Sequence, residues 1–137
     1  MRNPWRALVT LGALGLSGCG DSPTTPTPTG YIREYDRGTG AFSGCVQDAC
    51  LFTASIENQG SGCASGTTAV AQFYPSGVTG PVVEAQMEAP GGLSNRTIRP
   101  TEIVALTSVR HLDESGVDPS GDRAYRLVLT WNDVACP

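Results

Sequence analysis

The residues of this sequence that could take part in catalysis, metal binding or covalent bonding are five cysteines, one histidine and a cluster of carboxylates. His111, the single histidine, could act as a general base beside a serine and an acid, as it does in many hydrolases. However, no serine lies in the Gly-x-Ser-x-Gly pattern that presents the nucleophile in one large class of these enzymes. We therefore expect His111 to be an exposed residue at a strand end and the protein not to be an enzyme.

Four carboxylates crowd into one glycine-containing segment, residues 113–122. Hard cations such as Ca²⁺ prefer several oxygen ligands, so this segment is a weak candidate for a calcium site. Its spacing does not match the EF-hand pattern, and a solvated turn is the simpler interpretation. We therefore expect no bound metal or cofactor. The four candidate residues are Asp113, Glu114, Asp118 and Asp122.

The start of the chain has the composition of an export signal. Arg2 and Arg6 precede an apolar run over residues 7–16, and small residues follow it. About 20 helical residues are needed to cross a bilayer core of about 30 Å, so this run is too short to span one. A charged start, a short apolar stretch and small residues predict a secretory signal peptide over residues 1–18.

The four residues Leu16-Ser17-Gly18-Cys19 resemble the lipobox of bacterial lipoproteins. The resemblance implies that the signal is cut before Cys19 and that the Cys19 sulfur carries a diacylglycerol with palmitate-like chains. Two or three acyl chains give stable membrane anchoring, whereas one chain is marginal. In double-membrane bacteria, aspartate directly after the cysteine retains such proteins at the inner membrane. Gly20 holds that position, so we expect the outer membrane, on its periplasmic or its surface face.

Residues 19–30 predict a linker. Pro23, Pro26 and Pro28 alternate with threonines, and almost nothing apolar is available to form a core. Such a segment is expected to be disordered and extended, with a rise of about 3.1 Å per residue and a reach of about 30 Å. The remaining residues, 31–137, are enough for one domain.

The charge balance excludes some partners. All nine basic residues are arginine, and removal of residues 1–18 would leave seven arginines against thirteen carboxylates, a net charge near −6. Binding to nucleic acid or to anionic lipid requires a basic patch, so neither is expected. The expected partners are the membrane, through the lipid anchor, and an envelope protein or glycan.

The domain shows strand periodicity. In residues 82–89, Val83, Ala85, Met87 and Ala89 share one face, and Tyr125, Leu127, Leu129 and Trp131 do so in residues 123–134. Alternation of this kind predicts half-buried antiparallel strands, and turn signals separate them. We predict an all-β fold, a single antiparallel β-sandwich of about six to seven strands. The predicted strands are 31–42, 50–58, 67–74, 82–89, 102–110 and 123–134.

Three short motifs are similar to those of immunoglobulin-like modules in bacterial surface proteins, such as CARDB and FxLYD domains. They are Asn58-Gln59-Gly60, residues 73–77, and Pro100-Thr101-Glu102. The resemblance implies an immunoglobulin-like sandwich, with Thr101 at a position where glycine is commoner. Tyr125, within the sequence GDRAYRLVL, resembles the tyrosine corner of sandwich folds.

With Cys19 lipidated, four cysteines remain, an even number that in an exported chain indicates two disulfides with three possible pairings. A four-thiolate zinc site would show two close pairs, and Cys63 and Cys136 are far apart in sequence. The sandwich resemblance favours Cys63–Cys136 and Cys45–Cys50, because the last strand then ends near the loop between the second and third strands. If the last strand were a seventh, Cys136 would lie near Cys45 or Cys50 instead.

Together these features predict a lipid-anchored, non-catalytic binding or structural module of the cell envelope. One alternative is an accessory subunit of an envelope complex. A further alternative is a calcium-dependent carbohydrate binder or a small hydrolase.

Overall fold

The protein consists of β-strands joined by turns, in a computed structural model that describes residues 25–74, 83–113 and 125–137. No helix occurs in the described residues. The all-β prediction is therefore confirmed. The strands are β1 (Ile32–Glu34), β2 (Ala41–Val46), β3 (Ala49–Asn58), β4 (Cys63–Phe73), β5 (Val83–Glu88), β6 (Ile103–Ser108), β7 (Leu112–Asp113) and β8 (Tyr125–Val134).

All pairings between these strands are antiparallel, and they form one continuous sheet in the order β1-β3-β6-β5-β4-β8. β2 and β7 also pair with β3, near its beginning. The two terminal strands of this order, β1 and β8, come back close to each other, so the sheet is nearly closed.

The sheet folds into two facing layers, and β5 connects them. Most of β5 pairs with β4, whereas Met87 and Glu88 at its end pair with β6. Phe52 of β3 and Phe73 of β4 lie on strands that are not paired, yet their ring centroids are 4.8 Å apart. Side chains of the two layers therefore meet in a shared core, as in a β-sandwich.

The predicted alternation of faces is confirmed in the two best-defined strands. Phe52, Ala54 and Ile56 of β3 are buried, while the residues between them are partly exposed. In β5, Ala85 and Met87 are buried and the intervening residues point outward. Burial of one face supplies the hydrophobic free energy that holds the two layers together.

An aromatic cluster fills the core at the end where β4 finishes and β8 begins. The rings of Phe42, Phe52, Phe73 and Tyr125 pack with centroid distances of 4.8–6.3 Å. Gly40 lies against this cluster, and a Cβ at that position would come within 2.7 Å of the Tyr125 hydroxyl oxygen and also overlap Phe52. Only glycine leaves room for these rings.

The prediction of one strand over residues 31–42 is wrong, because the chain kinks between β1 and β2. Asp36 and Gly38 have φ values of 49° and 86°, and the amide of Thr39 bonds to the carbonyl of Asp36 at 3.2 Å. Left-handed backbone at two positions cannot continue a strand. The prediction also lacked β7, a two-residue strand that is too short to give an alternating pattern.

The strand register shows which loops and strand ends lie together at each end of the sandwich. The linker enters beside the end of β3, the beginning of β4 and the end of β8, since Ile32 pairs with Asn58 and Cys63 with Val134. We call this the linker end. The β2–β3 hairpin and β7 lie at the opposite end, which we call the far end, because Val46 and Asp113 both pair with Ala49.

Candidate functional site

The single histidine lies on the surface. His111 is exposed between β6 and β7, near the far end of the sandwich. Its backbone belongs to a short connection rather than to the buried face of a strand. This placement is the one expected from the sequence.

The structure describes one carboxylate of the acidic segment. Asp113 is the exposed last residue of β7, and Glu114, Asp118 and Asp122 lie outside the described residues. Among residues 25–74, 83–113 and 125–137, no group of three or more His, Cys, Asp or Glu side chains is placed to hold a metal ion. The calcium hypothesis therefore stays a prediction.

Four cysteines form two disulfides, Cys45–Cys50 and Cys63–Cys136, and the fifth, Cys19, lies outside the described residues. Cys45–Cys50 closes the β2–β3 hairpin at the far end. Cys63–Cys136 joins residues 73 positions apart at the linker end. In the chain-entropy account, a loop of that length stabilises the folded state by about 4 kcal/mol.

Several hydrogen bonds surround the entering chain. We call residues 28–31, 58–62 and 131–133 the linker junction. Gly62 donates its amide to the carbonyl of Thr29 at 2.9 Å, and Gln59 donates its amide to the carbonyl of Tyr31 at 2.8 Å. The last residues of the linker are therefore bonded to the β3–β4 turn before β1 begins.

The other side of the entering chain bonds to β8. The amide of Gly30 donates to the Asp133 carboxylate at 2.9 Å, and the Trp131 indole N–H donates to the Gly30 carbonyl at 3.2 Å. The ring of Trp131 packs edge-on against Tyr31, with centroids 6.1 Å apart. Trp131, which lies on the apolar face of its strand, is half-buried and packs against the core while it also bonds to the linker.

Asn58 lies at the centre of the linker junction and is fully buried. Its Nδ2 donates to the carbonyls of Gly62 and Ile98, both at 2.9 Å. Its Oδ1 accepts the amides of Tyr31 at 3.0 Å and Gly60 at 2.9 Å. Both donors and both acceptor sites of one side-chain amide are thus used inside the protein, which satisfies it completely.

Two glycines allow the linker to approach the β3–β4 turn. A Cβ on Gly60 would lie 2.5 Å from the Tyr31 nitrogen and overlap the Thr29 carbonyl. A Cβ on Gly62 would lie 2.7 Å from the carbonyl carbon and oxygen of Pro28. The turn sequence Asn58-Gln59-Gly60-Ser61-Gly62 therefore provides both the polar centre and the space that backbone contact requires.

A loop braced by an ion pair supports the same junction. Arg96 donates to Glu102 Oε1 at 2.6 Å, and the Arg99 amide donates to Oε2 at 2.9 Å. Burial acts to raise the pKa of Glu102, but these bonds and the charges of Arg96 and Arg99 outweigh it and lower the pKa. The loop lines a shallow depression formed by Arg96, Thr97, Arg99, Pro100, Thr101 and Glu102.

Thr101 holds an unfavourable backbone conformation in this loop. Its φ of 66° is in the left-handed region, which favours glycine and is costly for a β-branched residue. The Thr101 amide donates to the carbonyl of Asn58 at 2.7 Å, and the Asn58 amide donates to the carbonyl of Glu102 at 3.1 Å. Backbone hydrogen bonds on both sides of Thr101 therefore hold this conformation in place.

Tyr125 ties the two terminal parts of the sheet together nearer the far end. Its hydroxyl accepts the amide of Gly40 at 2.8 Å and donates to the Glu34 carboxylate. Burial, with the Glu34 carboxylate as a further cause, raises the pKa of Tyr125 to about 12. The tyrosine suggested as a corner residue thus connects β8 with a segment 85 positions earlier.

Comparison with known protein families, curated proteins and solved structures finds no match to this chain. Within the part of the chain that the structure describes, no helix is long and apolar enough to cross a membrane.

Exchange of Asn58 for aspartate tests the polar centre of the linker junction. Asn58→Asp replaces the Nδ2 donor by an oxygen that faces the carbonyls of Gly62 and Ile98. We expect a loss of about 3 kcal/mol in the free energy of unfolding at pH 7, because the introduced carboxylate is buried and unpaired.

The introduced carboxyl has a higher pKa in the folded than in the unfolded chain, where it is about 3.9. Stability is therefore highest below that pH and is lost as the pH rises, so part of the loss is recovered at about pH 4. Urea unfolding at both pH values measures this. Asn95→Asp, at an exposed position, is the matched control and should change the free energy of unfolding little at either pH. A similar small effect at position 58 would contradict the assignment.

Alkaline pH tests the role of Tyr125. The pKa of Tyr125 is raised from about 10 in the unfolded chain to about 12 in the folded protein. The stability that its protonated hydroxyl contributes is therefore fully present below pH 10 and is lost as the pH rises toward 12. Tyr125→Phe should remove this part of the pH dependence and lower stability at pH 7 by about 1–2 kcal/mol, because the Gly40 amide loses its acceptor. Tyr35→Phe, an exposed tyrosine, is the control. Equal pH slopes in the wild type and Tyr125→Phe would contradict this role.

Proposed function

We propose that the protein is a lipid-anchored β-sandwich of the cell envelope that acts as a non-catalytic binding or structural module. The observation that carries the proposal is the sequence Leu16-Ser17-Gly18-Cys19, which follows a short apolar run and resembles a lipobox at every position. Acylation of Cys19 would fix the domain to a membrane through residues 20–30. The outer membrane is the proposed site because glycine follows the cysteine.

The linker junction supports a role in display. An anchored domain needs a defined connection between the linker and the folded body. Here the chain at residues 28–31 is bonded to the β3–β4 turn, to β8 and to Asn58. The linker end is then the membrane-proximal end, and the far end with the Cys45–Cys50 hairpin points away from the lipid.

The arrangement of polar residues supports a binding or structural role rather than catalysis. His111 is exposed on a connection. Of the three buried polar side chains in the described residues, Asn58 and Ser108 bond to backbone atoms, and Thr67 Oγ1 has no hydrogen-bond partner. Such bonds stabilise the fold and leave no aligned nucleophile and base among these residues. The surface is therefore proposed to act by contact with a protein or a glycan of the envelope.

Metabolic labelling tests the anchor. Cells that express the full chain are grown with labelled palmitate, and the purified product should carry the label. Cys19→Ser should lose the label and accumulate with its leader uncut, whereas Ser17→Gly keeps a small residue before the cysteine and should retain it. An unlabelled wild-type product, or label that persists in Cys19→Ser, would contradict the proposal.

The same cells test the proposed membrane. Gly20→Asp introduces the residue that retains such proteins at the inner membrane. We expect its label to be unchanged and its distribution to shift from the outer-membrane to the inner-membrane fraction. An unchanged distribution would contradict the outer-membrane assignment while leaving the anchor itself intact.

A further inference from the structure

One outer face of the sandwich carries exposed apolar side chains near the linker end. It belongs to the layer of β1, β3 and β6, whose outward residues alternate with buried ones. Tyr31, the first residue after the linker, is 53% exposed, and Ile103, the first residue of β6, is 47% exposed. Glu57 of β3 lies between Arg33 and Ile103 in the strand register. We call the exposed residues Tyr31, Arg33, Gln59, Arg99 and Ile103 the linker-end face.

The fold holds the exposed ring of Tyr31 in place. The Tyr31 ring packs edge-on against Trp131, with centroids 6.1 Å apart, and its backbone bonds to Asn58 and to Gln59. A side chain that is fixed before binding loses little conformational freedom on contact. Tyrosine, whose ring is apolar and whose hydroxyl is polar, is enriched where lipid head groups meet the hydrocarbon. Tyr31 therefore has the chemistry that suits a lipid surface.

Two arginines of this end face solvent, whereas nearby carboxylates are bonded within the protein. Arg33 is exposed beside β3, and Arg99 is exposed in the loop that supports Asn58. Three carboxylates at the linker end each accept a hydrogen bond from another residue of the protein. These pairs, acceptor first, are Glu57 with Gln59, Glu102 with Arg96, and Asp133 with Gly30. Two exposed guanidinium groups are therefore available to bind an anionic group such as a lipid phosphate.

Charge is distributed unevenly between the two ends of the sandwich. At the linker end, Arg33, Arg96 and Arg99 balance the same three carboxylates. This leaves four arginines against ten carboxylates for the rest of the chain after residue 18. Asp48 at the tip of the β2–β3 hairpin and Asp113 of β7 are exposed at the far end. The net charge of the whole chain, which predicted no binding to anionic lipid, therefore does not describe the linker end, and an anionic surface repels the far end more strongly.

The position of the proposed anchor supplies the occupant of the linker-end face. Pro28, where the linker junction begins, is nine residues after Cys19. A chain of nine residues spans at most about 32 Å, whatever its conformation. If Cys19 is acylated, a lipid surface therefore lies within that distance of the junction at all times. Tethering of this kind gives a high effective concentration, so that weak contacts are sufficient for docking.

We propose that the linker-end face docks on the surface of the membrane that holds Cys19. Tyr31 and Ile103 enter the head-group layer, and Arg33 and Arg99 bind lipid phosphates. The inference rests on the proposed acylation of Cys19 and goes beyond it, because docking gives the tethered domain one orientation. The layer that contains β4 and β8 then faces away from the lipid, together with the far end, and these are the surfaces offered to partners.

Paramagnetic broadening of amide NMR signals tests this orientation. The mature chain is extracted from membranes with its acyl chains and placed in nanodiscs of phosphatidylcholine and phosphatidylglycerol that carry a nitroxide on some head groups. We expect strong broadening for the amides of Arg33, Glu57 and Ile103 and little for those of Val46 and Asp48 at the far end. Discs of phosphatidylcholine alone should give weaker broadening, because they lack the anionic lipid.

Two pairs of variants test the residues that make the contact. As read from the broadening, Arg33→Gln should lower the ratio of docked to undocked molecules about fivefold, the effect of one arginine near an anionic surface, whereas Arg110→Gln, near the far end, should not. Ile103→Thr should also lower this ratio, whereas Val109→Thr, at an exposed valine after the other end of β6, should not. All four positions are exposed, and unchanged signals from the β4 amides verify the fold. No difference between a variant and its control would contradict the contact.

Three results would overturn the docked orientation. Even broadening over all faces of a chain that the discs hold is one, and stronger broadening at the far end is another, and both leave the anchor at Cys19 intact. The third is a shift of the signals of the linker-end face without broadening, only in discs that hold two chains, which would assign this face to a second copy. A chain that does not enter the discs would contradict the proposed anchor together with the docking.

Discussion

The hydrogen-bonded side chain of Asn58 is the interaction on which the linker end of this protein depends. It occupies the last inward position of β3, directly after Phe52, Ala54 and Ile56 in the alternating pattern. A buried amide is costly unless every donor and acceptor is paired. Asn58 meets this requirement by bonding to backbone atoms of four residues in three separate segments, Tyr31, Gly60 with Gly62, and Ile98. The entering chain, the β3–β4 turn and the supporting loop thus share one polar centre.

The residues around Asn58 are constrained by the hydrogen bonds that it makes. Gly60 and Gly62 must lack side chains because the linker passes directly over the turn. Thr101 tolerates a left-handed backbone because its amide and its neighbour's carbonyl bond to the backbone of Asn58. Cys63–Cys136 adds a covalent connection at the same end. If Cys19 is acylated as we propose, this end bears the force that passes between the linker and the folded body, and the polar centre and the disulfide both hold the same segment.

Much of the fold could be predicted from the sequence, because burial of one strand face leaves a period of two. Phe52, Ala54 and Ile56, and equally Ala85 and Met87, follow it. The kink at Asp36 and Gly38 escaped prediction, since neither residue type requires a left-handed conformation and tertiary bonds decide whether it is adopted. The disulfide pairs in the structure are those that the sandwich resemblance favours, but sequence spacing alone left three pairings open.

The linker junction itself could be foreseen only in part. Asn58-Gln59-Gly60 was visible as a turn motif, but nothing in it reveals that the amide is buried or that the linker is its partner. The one signal was a polar residue that continues the inward positions of β3. Tyr125 is similar: its hydroxyl bonds to Gly40, 85 positions earlier, a contact that sequence separation hides.

Amide hydrogen exchange of the unmodified protein tests most directly whether the entering chain is part of the folded body. The amides of Tyr31 and Gly60 both donate to the oxygen of Asn58, and neither belongs to a strand ladder. We predict that they exchange as slowly as the amides at the centre of β3. Exchange of both at the rate of an unfolded peptide, while β3 stays protected, would show that the linker is not held by Asn58 and would contradict the account.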